Sequence, residues 1–196
     1  YSDEMIKILR DKSELLPMPL QNNLHIINDD MRSFCLNQKF DTIIVTANSI
    51  NHIETNSDFF SFLSNLKKHL TQSGRIIFDA LNPILFYLTR DENTRYNQEV
   101  LLQTKTKKYF LCEESSHYDV ATQINHVRYY YTYCDQKGNT GANQPIIMDI
   151  NVRMYFPQEL DSYLTLSGLN IVGKYEWYDF TPFSGKNAEQ IYIISL

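Results

Sequence analysis

Apolar positions follow two periodicities, and the places where one gives way to the other divide the chain. Ser2, followed by Asp3, Glu4 and the run Met5, Ile6, Ile8, Leu9, reads as a capped helix with acids in its first turn, ended by Pro17 and Pro19. Leu24–Asn28 reads as a short strand before the polar pair Asp29–Asp30. FDTIIVT (Phe40–Thr46) is a β-branched run of the kind found in strands buried on both faces. Phe59, Phe62, Leu63, Leu66 and Leu70 then repeat at helical spacing over Asp58–Leu70, which predicts a helix closed by Ser73–Gly74. RIIFDA (Arg75–Ala80) is the next buried strand. Strand, helix and strand at this spacing predict a parallel sheet covered by helices.

From residue 97 to residue 156 alternation replaces helical spacing. Lys108–His117, Gln123–Cys134 and Ile146–Phe156 read as long antiparallel strands, the second of them rich in tyrosine, with the turn Asp135–Asn139 joining the second to the third. Pro157 then opens a helix over Gln158–Leu166 that Gly168 terminates. Gly168–Trp177 and Gln190–Leu196 read as two final strands around a polar loop. The expectation is an α/β core from residues 1–82 and 157–196, interrupted by an antiparallel β insertion over 83–156. There is no Gly/Ser linker and no internal repeat, so the insertion is expected to pack on the core.

Composition narrows the function. The 196 residues carry 18 Lys+Arg against 23 Asp+Glu, a net charge of −5, which argues against nucleic acid as a partner. No apolar run approaches the roughly 20 residues that cross a bilayer, so no membrane partner is expected and a cytoplasmic protein is the default. Cys35, Cys112 and Cys134 are far apart, and His25, His52, His69, His117 and His126 lack ligand spacing, so no metal is expected. The six glycines leave the first 73 residues without one, so no glycine-rich phosphate loop lies within these residues.

The order of the elements and their junction residues resembles the class I S-adenosylmethionine-dependent methyltransferases. YSDEM is similar to the segment after that family's second strand, HIINDDMRSF to its third strand and adenine-contacting turn, and FDTIIVTANSINHI to its fourth strand and catalytic-face loop. LTQSGRIIFDALNP is similar to its fifth strand, and GLNIVGKYEW and EQIYIISL to its last two. The resemblance spans nearly the whole chain and is nearest to small-molecule N-methyltransferases. It implies a Rossmann-like, mostly parallel sheet with its last strand antiparallel, and an antiparallel β insertion after the fifth family strand. It also implies S-adenosylmethionine as cofactor and a small polar molecule as methyl acceptor, through nitrogen or oxygen. The family's first strand, its GxGxG loop and its ribose-binding acid would precede Tyr1; either a longer chain supplies them or the loop has been lost, and without them cofactor binding is expected to be weak.

The resemblance places Tyr1 against adenine, Asp30 and Met31 at the adenine amine and ring, and Ala47 and Asn48 beside the cofactor. From the residues themselves, Ser49, Asn51 and His52 are hydrogen-bonding groups at the end of a buried strand, where ligands of open α/β sheets bind. His52 is a candidate general base, since an unperturbed imidazole titrates near about 6.5. Asn82, held extended before Pro83, is a candidate for facing the acceptor, whereas Asp79 reads as paired within the sheet end. Tyr129 and Tyr131 share a strand face with Tyr133 and are candidates for lining an acceptor pocket; the same strand equally suits sheet packing or a homodimer face. Two further readings stay open: a non-catalytic binding or scaffold protein on a degenerate version of the fold, and a nicotinamide-dependent oxidoreductase on a related sheet.

Overall fold

The computed structural model describes residues 2–104 and 106–196. Helix α1 (Asp3–Ser13) starts where the Ser2 hydroxyl accepts from the Met5 amide at 3.4 Å, but buries none of its residues. It ends before the prolines: Pro17, with φ fixed near the helical value, instead stands at the start of a short helix α2 (Met18–Gln21). Leu24–Asn28 is not a strand. The segment is mostly exposed, and among the described residues no neighbouring strand pairs with it, which is what a strand requires.

The first sheet has the order β1-β2-β8-β7, from β1 (Phe40–Val45), β2 (Leu70–Leu81), β7 (Asn170–Tyr175) and β8 (Glu189–Ser195). β1 and β2 are parallel, and β8 runs antiparallel to both β2 and β7. Three strands therefore point one way and β8 against them. Helix α3 (Asn56–His69) begins at Thr55, whose hydroxyl accepts from the Asp58 amide at 3.1 Å. It passes directly into β2 at Leu70, so Ser73–Gly74 lies inside the strand rather than closing the helix. Helix α5 (Pro157–Leu166) has Pro157 in its first turn, and Gly168 at φ +68° takes the left-handed turn that ends it. The apolar stripe Phe59, Phe62, Leu63, Leu66 packs with Leu160 and Leu164 of α5 onto Ile76, Phe78, Tyr192 and Ile194, all essentially buried. At about 1.5–3 kcal/mol per buried side chain, this layer is the main stabilising block.

After α4 (Leu85–Leu88) the chain builds a second, antiparallel sheet in the order β3-β4-β5-β6, from β3 (Tyr96–Gln103), β4 (Lys108–Asp119), β5 (Ile124–Cys134) and β6 (Ile146–Arg153). The Asp135 carboxylate accepts from the Lys137 and Asn139 amides and fixes the β5–β6 connection. Strand β3 escapes sequence reading because YNQEVLLQ is an exposed edge strand with a register shift, leaving little alternation to detect. Val127 and Val152 of the second sheet, with Met154 just beyond β6, pack against Leu81, Tyr87 and Leu88. Arg153 reinforces this junction, donating to the Thr122 carbonyl at 2.8 Å and to the Glu159 carboxylate at 2.8 Å. Among the described residues no helix is long and apolar enough to cross a membrane.

Candidate active site

The site begins where β1 runs out. Ala47 and Asn48 both take left-handed backbone conformations, φ 59° and 55°, at a cost of about 1–2 kcal/mol each for residues with a Cβ. Asp79, at the matching end of β2 and almost fully buried, offsets that cost: its carboxylate accepts from the Asn48 amide at 2.7 Å, from the Ala47 amide at 3.1 Å and from the Tyr178 hydroxyl. Burial, then the adjoining Asp79 carboxylate, holds the Tyr178 hydroxyl far above its ordinary range, so it acts as a neutral donor.

A single 3-10 turn, Ser49–His52, follows. Asn51 in it is 1 % exposed and spans the two sheets: its side-chain nitrogen donates to the Arg153 carbonyl at 2.6 Å, and its oxygen accepts from the Leu81 amide at 3.0 Å. Turn, β2 and β6 are thereby fixed to one another around a cavity of about 300 Å³. Ala47, Asn48 and His52 form one wall; Asn125, Val127 and Tyr129 of β5, with Glu114 of β4, form the facing one. The Glu114 carboxylate is held by the Arg90 guanidinium and by the Asn97 side-chain amide at 2.6 Å, directly across the ladder from Tyr129. The Arg90 side chain is 2 % exposed, with its guanidinium carbon 4.3 Å from the Phe86 ring centre and 4.7 Å from that of Tyr96. Burial pushes the Tyr129 hydroxyl up to about 12, so it is protonated at neutral pH.

A second cavity of about 340 Å³ shares Ala47 and Asn48 and is completed by Asp79, Trp177, Tyr178, Glu189 and Ile191. Burial raises the Glu189 carboxyl; the Asn48 side-chain amide, 3.5 Å away, opposes that rise and the Asp79 charge adds to it. Asn48 thus stands in the partition between two cavities, and its side-chain oxygen is buried without a hydrogen-bond partner among the described residues.

The residues singled out from sequence are only partly brought together. Ala47, Asn48, Asn51, His52 and Tyr129 line the first cavity. Asn51 spends both ends of its amide on the backbone and holds the wall rather than offering free polar atoms. Ser49 turns its hydroxyl back onto the Thr46 carbonyl at 2.6 Å. Asn82 is buried beside the polar loop, donating to the Asn187 and Gly185 carbonyls at 2.7 and 3.0 Å, so its amide fixes that loop instead of facing the cavity. Tyr131 stacks with Tyr129, ring centres 6.1 Å apart, outside the cavity lining. Asp30 and Met31 also lie outside it. Arg32 grips the Asp30 carboxylate through its side chain at 2.6–3.1 Å and its amide at 2.8 Å, while the Met31 carbonyl accepts from Asn65 at 3.3 Å. Tyr1 lies outside the described residues.

Sequence reading missed Glu114, Arg90, Asn97 and Asn125, which are separated along the chain and meet only through strand pairing. The register Glu114↔Tyr129 brings the glutamate to the tyrosine that had been singled out. The adjacent pair Glu113–Glu114 inside the strand KYFLCEESSHYD was the available signal. Among the described residues no group of three or more His, Cys, Asp or Glu could hold a metal ion.

Several solved structures share this architecture. A S-adenosylmethionine-dependent methyltransferase from Clostridium acetobutylicum is similar over 100% of this chain and 72% of its own, with TM-score 0.76 and 18% identity. The CcbJ methyltransferase from Streptomyces caelestis is similar over 99% of this chain and 76% of its own, with TM-score 0.81 and 16% identity. The glycopeptide N-methyltransferase MtfA, solved with S-adenosyl-L-methionine, matches at TM-score 0.60 and 12% identity, over 100% of this chain and 69% of its own. No family model matches the sequence, and no curated protein matches it. The chain has the class I methyltransferase fold.

Proposed function

We propose that this chain carries out S-adenosylmethionine-dependent methyl transfer to a nitrogen or oxygen of a small polar molecule. The observation that carries the reading is the position of the Ala47–Asn48 turn. It lies at the carboxyl end of a parallel strand pair, where open α/β sheets bind ligands, and it separates two cavities of small-molecule size.

The residues present suit a cationic sulfonium donor. The unpartnered, buried Asn48 side-chain oxygen and the Asp79 and Glu189 carboxylates give the second cavity a negative character. Ala47 and Asn48 would hold the reactive end of S-adenosylmethionine. The Asp30–Met31 turn would meet its adenine, with most of the acceptor capacity of the Asp30 carboxylate already taken by Arg32. Bound there, the cofactor supplies an electrophilic methyl group on a positively charged sulfur. The protein's part is to orient the acceptor and keep out water, which well-placed groups achieve without a dedicated acid or base. Asp79 holds the turn, Asn51 locks it to the second sheet, and the apolar residues Val127, Val152 and Met154 keep the facing wall dry. His52, exposed on the rim, would carry away the proton an amine or hydroxyl loses.

Calorimetric titration with S-adenosyl-L-homocysteine tests the reading. Weak but saturable binding that Asn48→Leu weakens further is the expected result; no heat up to millimolar ligand would overturn it.

A further inference from the structure

We infer that His69 is a positioning residue for the Asp30–Met31 turn, that it holds the turn only as the neutral imidazole, and that acid therefore loosens the adenine side of the site. The inference rests on the methyl-transfer reading only in assigning that turn to adenine.

His69 is the last residue of α3, 5 % exposed, and both of its ring nitrogens are engaged. Nδ1 lies 2.8 Å from the Asn65 carbonyl oxygen, which can only accept, so Nδ1 carries the proton. That contact takes up one of the carbonyls that a helix end leaves over. Nε2 accepts from the Leu36 backbone amide at 3.0 Å and so carries none. A ring with these two contacts is neutral. A proton added at Nε2 would set one N–H against another and exchange the Leu36 bond for repulsion, so protonation and the closed segment exclude each other.

The segment held in this way is the one that carries Asp30 and Met31. The Asp30 carbonyl accepts from the Ser33 and Phe34 amides at 3.0 and 2.9 Å, which winds Asp30–Phe34 into one helical turn. The Phe34 ring packs on the His69 ring, centres 4.6 Å apart, and the Asn65 side chain donates to the Met31 carbonyl at 3.3 Å. One turn of α3 thus grips the segment twice, Asn65 at Met31 and His69 at Leu36. No charged side chain among the described residues is bonded to the ring. On the segment, Arg32 pairs with Asp30 and Asp58, and the Cys35 thiol is exposed. On α3, Lys67 donates to the Ser167 carbonyl and Lys68 is exposed. Towards β1, Lys39 is exposed and Asp41 accepts from the Thr71 hydroxyl. An imidazolium at this place would have no bonded carboxylate to offset the lost amide.

The test follows the Leu36 amide by 15N NMR without cofactor, from about pH 7.5 to about pH 5.5, a range that brackets the ionisation of a free imidazole near about 6.5. The Leu36 resonance is expected to move along one titration curve together with the His69 ring nitrogens. In His69→Gln the side-chain oxygen can accept from Leu36 and the amide can donate to Asn65, with nothing to ionise. There the Leu36 resonance should stay in place, although the remaining histidines still titrate. Over the same range the affinity for S-adenosyl-L-homocysteine should fall about threefold or more in the wild-type protein and less in His69→Gln, because a released turn lowers the competent fraction. A Leu36 resonance that ignores protonation of His69, a His69 ring that takes up no proton in this range, or an equal loss of affinity in His69→Gln would overturn the inference. The wild-type titration needs neither variant nor ligand, so it decides even if His69→Gln does not fold. Absence of S-adenosyl-L-homocysteine binding at either end of the range would overturn the methyl-transfer reading and leave the amide titration standing, so the two fail separately.

Discussion

The Asp79 carboxylate accepts a 2.7 Å hydrogen bond from the backbone amide of Asn48, joining the ends of two parallel strands at the point where the chain leaves the sheet. A second amide, that of Ala47, and the Tyr178 hydroxyl converge on the same carboxylate. Asp79→Ala therefore strands two loop amides in a left-handed turn with nothing to replace their acceptor. The expected cost is about 2–4 kcal/mol, since each unsatisfied buried donor is worth about 1–3 kcal/mol. Urea unfolding monitored at Trp177, the only tryptophan, measures it. A loss under half of one kilocalorie per mole would show that the turn holds its shape without the carboxylate.

Arg153 ties the antiparallel sheet to the α/β layer through the Thr122 carbonyl, the Gln123 side chain and Glu159, with side chains 10% and 16% exposed across the ion pair. Arg153→Met removes the charge but leaves Glu159 partly buried beside the Tyr163 hydroxyl. Breaking one partner of such a pair costs about 3 kcal/mol, more than the pair itself contributes over an apolar substitute. The double variant Arg153→Met/Glu159→Leu is expected to regain part of the loss, which a denaturation cycle on the four proteins would read.

Acid should act on Asp30. Hydrogen bonds from the Arg32 side chain, then from its amide, lower the carboxyl to about 2, whereas an unfolded aspartate titrates near about 3.9. A folded value below the unfolded one means stability that is present above the unfolded value and lost as pH falls through the folded one. The pair is open to solvent, so the contribution is less than about 1 kcal/mol. Melting curves of the wild-type protein and Asp30→Asn should differ slightly at pH 7 and converge by about pH 2. Curves that stay equally far apart through that window would locate the effect elsewhere.

Much of the fold was legible because its signals are local. The stripe Phe59, Phe62, Leu63, Leu66 and the runs FDTIIVT and RIIFDA are signals carried by adjacent residues, and Pro157 and Gly168 punctuate α5. FDTIIVT is a strand but not one buried on both faces: Ile43 and Val45 pack on the core while Ile44 is 62% exposed, and a continuous apolar run does not tell which faces are covered. Leu24–Asn28 was misread for the opposite reason: an apolar triplet says nothing about whether a ladder is there to receive it. The site was legible on one side only. Ala47, Asn48, Asn51 and His52 are neighbours in sequence and at a strand end, so the cavity wall they form could be anticipated. The facing wall needs the β4–β5 register, which sets Glu114 opposite Tyr129, and the packing of α4 that brings Arg90 behind it; neither is written in any one stretch of chain. Asn82 shows the limit from the other direction, since a polar residue at a strand end serves a loop carbonyl as readily as a ligand.

One amide, that of Asn51, is clamped to β2 at one end and to β6 at the other. Swinging the antiparallel sheet outward would tear it, so the cleft does not open like a jaw. Traffic has to pass the rim, where His52 and Asn97 are exposed and can rotate aside. A molecule can then be admitted end-first, its reacting tip threaded inward while a bulkier body rests outside, and size limits fall on the tip alone.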